Sequence, residues 1–230
     1  MDKKKLAILL GAKKKAWCVD FDGTTIIDCG SEASIDNLFA GDVTIEGYFN
    51  CGFTGATYRR FFDKTGGGAV GYYGAGVGST TKLYYSLYIG GVENIINATN
   101  TTPIDLLWHH FAFTFDGASN DRRFVYVDGV SVLSELADTR AITDDAAASL
   151  CIGNRPAGDR GFIGKIGWLR ISNNVRYTAT FTPPQRLVYP TVDVNTLRLF
   201  KMNEGTGTTI VDYSSNAQNA TLANGSWINV

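Results

Sequence analysis

The clearest pattern in the chain lies in residues 107–133. Phe111, Phe113 and Phe115 recur at every second position, with Ala112 and Thr114 between them. A period of two puts the three rings on one face of an extended strand. Asp116-Gly117 ends that strand, and Phe124, Val125, Tyr126 and Val127 form the next one. Asp128-Gly129 then predicts a two-residue hairpin turn with positive φ at both central positions, and Val130 to Leu133 runs back. Three consecutive antiparallel strands leave an apolar face that the rest of the chain must cover. Phe111, Phe113, Phe115, Val125 and Val127 are therefore predicted core.

The same alternation continues elsewhere. Residues 17–21 read as a strand ending at Asp22-Gly23, with residues 24–29 as its hairpin partner. Val43, Ile45, Gly47 and Phe49 alternate with Thr44, Glu46, Tyr48 and Asn50 in a half-buried strand. Residues 58–62 are a short strand, and residues 34–38 a single helical turn. The Gly-rich stretch 65–81 is either a strand with a long hairpin loop or a binding loop. Leu83, Tyr85, Leu87 and Ile89 oppose Tyr84, Ser86 and Tyr88, and residues 92–96 follow. Residues 151–153, 161–172 and 187–188 read as further strands. Repeated strands with tight turns and no helical period predict an all-β, two-sheet antiparallel sandwich of jelly-roll type.

Composition narrows the function. The chain has 230 residues with 26 Gly, 13 Phe and 11 Tyr, which suits one large β domain. A net charge of −1 argues against nucleic acid as the main partner. The charge is unevenly placed: Lys3, Lys4, Lys5, Lys13, Lys14 and Lys15 face only Asp2 in residues 1–15, leaving 15 basic and 21 acidic residues in 16–230. This predicts a basic arm, residues 1–15, on an acidic body, residues 16–230, and the six lysines are candidate assembly contacts. The apolar stretch inside the arm is too short for a secretion signal, and no run reaches membrane-spanning length. A virion or cytoplasmic location, off the membrane, is the expectation. Cys18, Cys29, Cys51 and Cys151 lack metal-ligand spacing and are expected as reduced, packed thiols.

Trp108-His109-His110-Phe111-Ala112 followed by Tyr126-Val127-Asp128-Gly129 resembles the centre of laminin-G-like domains of the concanavalin A-like lectin/glucanase superfamily. Val19-Asp20-Phe21-Asp22-Gly23 with Ile45-Glu46-Gly47-Tyr48-Phe49 resembles the family's early strands. Cys151-Ile152-Gly153 with Phe162-Ile163-Gly164-Lys165-Ile166 and Leu169-Arg170-Ile171 resembles its late ones. The resemblance covers residues 17 to about 184. It implies a concanavalin A-like sandwich, a fold that hosts lectins, glycosidases and structural modules alike.

The resemblance raises catalysis and calcium as possibilities. Glycosidases need two carboxylates across the scissile bond, yet Glu46 is the only acid in its strand, so no hydrolase is predicted. His109 and His110 point to opposite faces of one strand and cannot readily share a metal or a proton. The family's calcium ligands tend to include an acid after the late Gly-x-Ile, where this chain has Gly167 and Trp168. Asp22, Asp116, Asp128, Asp144 and Asp145 remain as oxygen donors, but no cofactor is expected. Recognition is left. Tyr72, Tyr73, Tyr84, Tyr88 and Trp168 are the candidate contacts for a glycan or a protein partner, because aromatic rings offer apolar faces with a polar edge. Each singly also suits a core position.

Residues 175–184, Val-Arg-Tyr-Thr-Ala-Thr-Phe-Thr-Pro-Pro, resemble an ending common in laminin-G-like domains of bacteriophages. That resemblance implies a non-catalytic module binding surface polysaccharide as an adhesion component of a phage-type particle. The alternative is a structural virion decoration protein that contacts virion proteins or its own copies as a homo-oligomer. Residues 197–230 resemble how family members begin, with Asn203-Glu204-Gly205-Thr206-Gly207, Asp212-Tyr213-Ser214 and Asn219-Ala220-Thr221-Leu222. Circular permutation accounts for this: residues 197–230 would supply the family's opening strands to the same sandwich. A truncated second copy, or strand exchange with a neighbour, are the alternatives.

Overall fold

The computed structural model describes residues 16–52, 58–65, 73–77, 82–101, 103–117, 122–136 and 143–230. Sixteen strands appear among them, with a single 3-10 turn at Leu38–Ala40 just beyond the expected helical turn. In chain order they are β1 (Trp17–Asp22), β2 (Ile26–Asp28), β3 (Val43–Asn50), β4 (Arg59–Asp63), β5 (Tyr73–Val77), β6 (Lys82–Ile89), β7 (Val92–Thr101) and β8 (His109–Asp116). They continue with β9 (Arg122–Val127), β10 (Val130–Leu136), β11 (Cys151–Ile152), β12 (Ile163–Ser172), β13 (Thr196–Phe200), β14 (Thr209–Ile210), β15 (Ala220–Ala223) and β16 (Ser226–Asn229).

Two antiparallel sheets face each other across one apolar core. The first runs β10-β9-β8-β3-β12-β1-β16, with β13 also on β12; the second runs β14-β15-β2-β11-β4-β5-β6-β7. Phe111, Phe113, Phe115 and Val125 are buried as expected, Val127 packs partly buried against them, and Phe61, Phe62 and Tyr85 meet them from the second sheet. Asp128 and Gly129 have φ 49 and 77, the hairpin turn expected there. Gly129 has a second reason to lack a side chain: a Cβ there would lie 1.9 Å from the Phe181 carbonyl.

Two expectations fail for physical reasons. Residues 24–29 are not the hairpin partner of β1. The Asp22 carboxylate accepts bonds from the Thr24 and Thr25 amides, Gly23 takes φ 95, and the chain crosses to the other sheet, where β2 pairs with β11 and β15. Both edges of β1 are taken by β12 and β16. Residues 187–188 form no strand; Leu187 and Val188 lie exposed on a crossing segment. The four cysteines are buried free thiols.

The C-terminal segment contributes to both sheets. Strand β12 shares one edge between β1, along Ile163 to Ile166, and β13, along Leu169 to Ser172. β16 pairs with β1, and β15 with β2. Leu199, Phe200, Met202, Ile210, Ala220 and Leu222 are thereby buried. The Asp212 carboxylate fixes this segment by accepting from the amides of Leu199, Ser214 and Gln218.

The outer face of the first sheet is sealed by the segment 173–195, which crosses it between β12 and β13. Glu46, fully buried there, is ringed by donors: Arg170 Nε at 2.8 Å, His110 Nε2 at 3.1 Å and the Tyr177 hydroxyl at 2.8 Å. Burial alone would raise its pKa; the bonds from His110 and Arg170 outweigh that and hold the carboxyl below its ordinary range. Tyr177 stacks on Phe181 at 3.5 Å, and both pack over Ala112, Phe124 and Tyr126 as a small second core. Tyr48 and Thr44 donate to the Pro184 and Asn174 carbonyls.

Three outcomes are expected. Removing residues 196–230 strips six apolar side chains from the core, at roughly 1.5–3 kcal/mol for each large one. That exceeds most of a domain's net stability, so the truncated chain should not fold; a folded, monomeric truncation product would contradict this. Glu46→Ala leaves the buried Arg170 guanidinium without its counter-charge and the His110 ring without a hydrogen-bond partner, and should cost about 3–5 kcal/mol in urea denaturation. A loss under about 1 kcal/mol would match an exposed pair instead. His109 lies between Asp128 (2.6 Å) and Asp105 (3.0 Å). Burial opposes protonation of its ring, but the two carboxylates prevail and raise its pKa. Its stabilising effect is then complete below about pH 6.5 and fades as pH rises through the raised folded value. His109→Gln should flatten this part of the melting-temperature profile; parallel profiles would disprove the assignment.

Candidate functional site

A cleft of about 150 Å³ opens on the outer face of the second sheet, lined by Tyr58, Arg60, Thr65, Tyr88, Glu93, Ile95, Arg155 and Arg160. Its position follows from strand register. Arg60 sits opposite Gly76, and Gly76 opposite Tyr84; Asp63 sits opposite Gly74, and Gly74 opposite Ser86. The outward positions of β5 are thus glycines, which leaves room above that strand for side chains from β4 and β6: the Arg60 guanidinium and the Tyr84 ring meet across Gly76 and support the cleft. Gly76 tolerates no substitute, since a Cβ would lie 1.7 Å from the Arg59 carbonyl. On β6 and β7, Tyr88 pairs with Glu93 and Ser86 with Ile95.

A bulge shapes the β4 wall. The β4–β5 register shifts between Arg60 and Phe62, so Phe61 and Phe62 both enter the core. Arg60 and Asp63 then share the outer face, where they form a buried ion pair at 2.7 Å. The Arg60 guanidinium lies 5.0 Å over the Tyr84 ring and donates to its hydroxyl, while Tyr58 meets Tyr84 edge-on. Asp63 accepts from the Thr65 amide and hydroxyl, and burial raises its pKa to about 6 despite Arg60. Burial and the neighbouring Glu93 carboxylate both raise the Tyr88 pKa. Glu93 accepts from the Ser86 hydroxyl at 2.8 Å.

The third wall is a loop held by one buried amide. The Asn154 side-chain oxygen accepts from the amides of both Arg155 and Arg160, closing residues 154–160 into a tight turn. The Arg160 carbonyl accepts from the Arg60 amide, and Arg59 donates to the Gly161 carbonyl, which ties the loop along β4. Arg155 is paired with Asp159. Among the described residues, the Arg160 guanidinium has neither a hydrogen bond nor an ion pair.

Of the candidate contacts, Tyr88 lines this cleft, and Tyr84 is wholly buried beneath it as a support. Trp168 is 1% exposed on the opposite sheet, packed edge-on against Tyr48 with His110 beside it, so its ring offers no contact surface. Tyr73 begins β5. Tyr72 and the six lysines, Lys3, Lys4, Lys5, Lys13, Lys14 and Lys15, lie outside the described residues. The arginines were missed. Tyr58-Arg59-Arg60 and Asn154-Arg155 with Arg160 were visible in the sequence, but only the glycine alternation of β5 could have pointed to a trough between them.

Asp145, a candidate calcium ligand, has another partner. The buried Lys64 ammonium is met by Asp36 Oδ1 at 2.6 Å, the Asp145 carbonyl at 3.0 Å and the Asp145 carboxylate. Burial raises the Asp145 pKa against the pull of Lys64. An ammonium therefore fills a cradle of oxygen atoms. Among the described residues no three His, Cys, Asp or Glu side chains converge to hold a metal ion.

Comparisons with known proteins agree with this architecture. No curated protein matches the sequence. A candidate carbohydrate-binding protein of Bacteroides ovatus superposes with TM-score 0.73 at 15% identity, over 94% of this chain and 60% of that one. This chain therefore spans less than two thirds of that protein. The Ruminococcus gnavus sialidase module CBM40 superposes with TM-score 0.53 at 11% identity, covering 70% of this chain and 92% of that one. A heptameric pentraxin of Limulus polyphemus gives TM-score 0.51 at 13% identity, covering 73% of this chain and 81% of that one. At such identities the likeness speaks for the fold. The laminin-G-like family model described as the concanavalin A-like lectin/glucanases superfamily matches residues 27–180, and the chain belongs to that superfamily.

Proposed function

We propose that this chain is a non-catalytic carbohydrate-binding module whose ligand occupies the cleft over β5. The observation that carries the reading is the composition of that cleft. Tyrosine rings at 58 and 88 stand beside guanidinium groups and the Glu93 carboxylate. Sugars need such a mixture: apolar faces for ring C–H groups, with fixed donors and acceptors for hydroxyls. The named neighbours bear on it in one respect, since the Bacteroides protein is a candidate carbohydrate binder and the Ruminococcus module belongs to a sialidase.

Catalysis has little support. Glu46 is locked under the segment 173–195 by Arg170, His110 and Tyr177. Asp63, beside the cleft, has its oxygens engaged by Thr65 and Arg60. Neither carboxylate is free to face Glu93 across a glycosidic bond.

The finer reading is adhesion to surface polysaccharide as part of a phage-type particle, in a virion or cytoplasmic setting. It rests on the likeness of residues 175–184 to phage-encoded domains and on the lysine-rich arm. The same reading takes residues 16–230 as one sandwich, with residues 197–230 in the place of the family's opening strands; the pairing of β16 with β1 supports it. Copurification with a particle, reduced by deleting residues 2–15, is the expected outcome for the arm.

A glycan array followed by calorimetric titration tests the main reading. Reproducible glycan hits are expected, with Tyr88→Ala weakening the best one about tenfold. No reducing ends should be released from bound glycans. A folded protein that binds no glycan would overturn the proposal.

A further inference from the structure

We infer that the cleft over β5 selects acidic sugars, with Arg160 pairing the anionic group and Tyr88 covering the sugar ring. The inference rests on the glycan-binding reading and adds the ligand's charge class. Its first ground is the local balance of charge. Residues 16–230 hold 15 basic and 21 acidic side chains. Four of those basic groups, Arg59, Arg60, Arg155 and Arg160, gather at and beside the cleft, against Asp63, Glu93 and Asp159. A basic cleft in an acidic body focuses the field on a bound anion.

The second ground is how each guanidinium is used. Arg60 is spent on Asp63 and the Tyr84 hydroxyl. Arg59 is turned away to the Gly161 carbonyl, and Arg155 is held by both oxygens of Asp159. Arg160 lines the cleft without a hydrogen bond or ion pair among the described residues. Its backbone, however, is fixed at both ends: its amide donates to the buried Asn154 oxygen, and its carbonyl accepts from Arg60. A positioned guanidinium that makes no ion pair or hydrogen bond among the described residues is suited to an external carboxylate, which its planar fork can bind through two parallel hydrogen bonds.

Glu93 sets the orientation. Its carboxylate uses one oxygen on the Ser86 hydroxyl and can accept sugar hydroxyls with the other. It would repel an anion placed at its own end. The acidic group therefore belongs at the Arg160 end, with the hydroxyl-bearing edge toward Glu93 and Ser86. Carboxylated and sulfated sugars share the required chemistry, since a guanidinium fork fits both.

The test uses the whole chain on an array of neutral, hexuronate-containing, sialylated and sulfated oligosaccharides. The best acidic hit is then titrated beside its carboxyl-reduced or desulfated counterpart. Acidic hits should dominate, and losing the anionic group should weaken binding at least tenfold. Arg160→Ala should abolish that discrimination while leaving the melting temperature nearly unchanged, because its guanidinium makes no hydrogen bond or ion pair among the described residues. Raising salt from 50 to 500 mM should weaken the acidic ligand more than the neutral one. Hits among carboxylated or among sulfated sugars identify the anion, and either supports the inference. Glycan binding with no preference for acidic forms, or a preference that survives Arg160→Ala, overturns it and leaves the glycan-binding reading intact. A folded protein with no glycan hits removes both.

Discussion

Glu46 is a negative charge wholly buried beneath the surface, and much of the molecule is arranged to tolerate it. Two strands and a crossing segment deliver its partners: Arg170 from β12, His110 from β8 and Tyr177 from residues 173–195. A buried charge is tolerable only when every lone pair is answered. The segment 173–195 must therefore lie where it does, and by lying there it closes the outer face of the first sheet. With that face closed, the cleft lies on the second sheet instead.

The second sheet is built on the opposite principle. Its outward row on β5 has no side chains, and the neighbouring strands supply tall ones. The β4 bulge brings Arg60 and Asp63 to one face, although residues three apart on a regular strand would lie on opposite faces. That irregularity creates the supporting ion pair, and the pair in turn holds Arg60 against Tyr84. One inserted residue in the ladder thus determines which groups the cleft presents.

The fold was legible because the pattern is local. Alternation at Phe111, Phe113 and Phe115 and the Asp128-Gly129 turn each follow from a few adjacent residues. The direction of the chain after Asp22-Gly23 was not legible. The turn signal was correct, but a hairpin and a crossing between sheets begin with the same turn chemistry, and only the competition of β12 and β16 for the edges of β1 decides between them. The site was legible in part. Tyr84 and Tyr88 share the predicted face, yet burial separates them: one supports and the other is presented. Trp168 stands on a strand whose outer side is covered by a segment that no local pattern ties to it. Arg155 and Arg160 come from a loop about seventy residues after β6, and no local pattern links them to Tyr88.

Gly74 and Gly76 have a consequence beyond the geometry they permit. The backbone of a glycine-bearing strand has nearly the same shape whatever stands on the strands beside it, and the core-facing residues there, such as Tyr85 and Phe62, turn the other way. Tyr88, Glu93, Ile95, Arg155 and Arg160 can then drift through substitution while the hydrophobic interior registers little of the change. Such a surface is evolvable in a specific sense: a new preference can arise from one or two replacements at the rim, with the scaffold inherited unaltered.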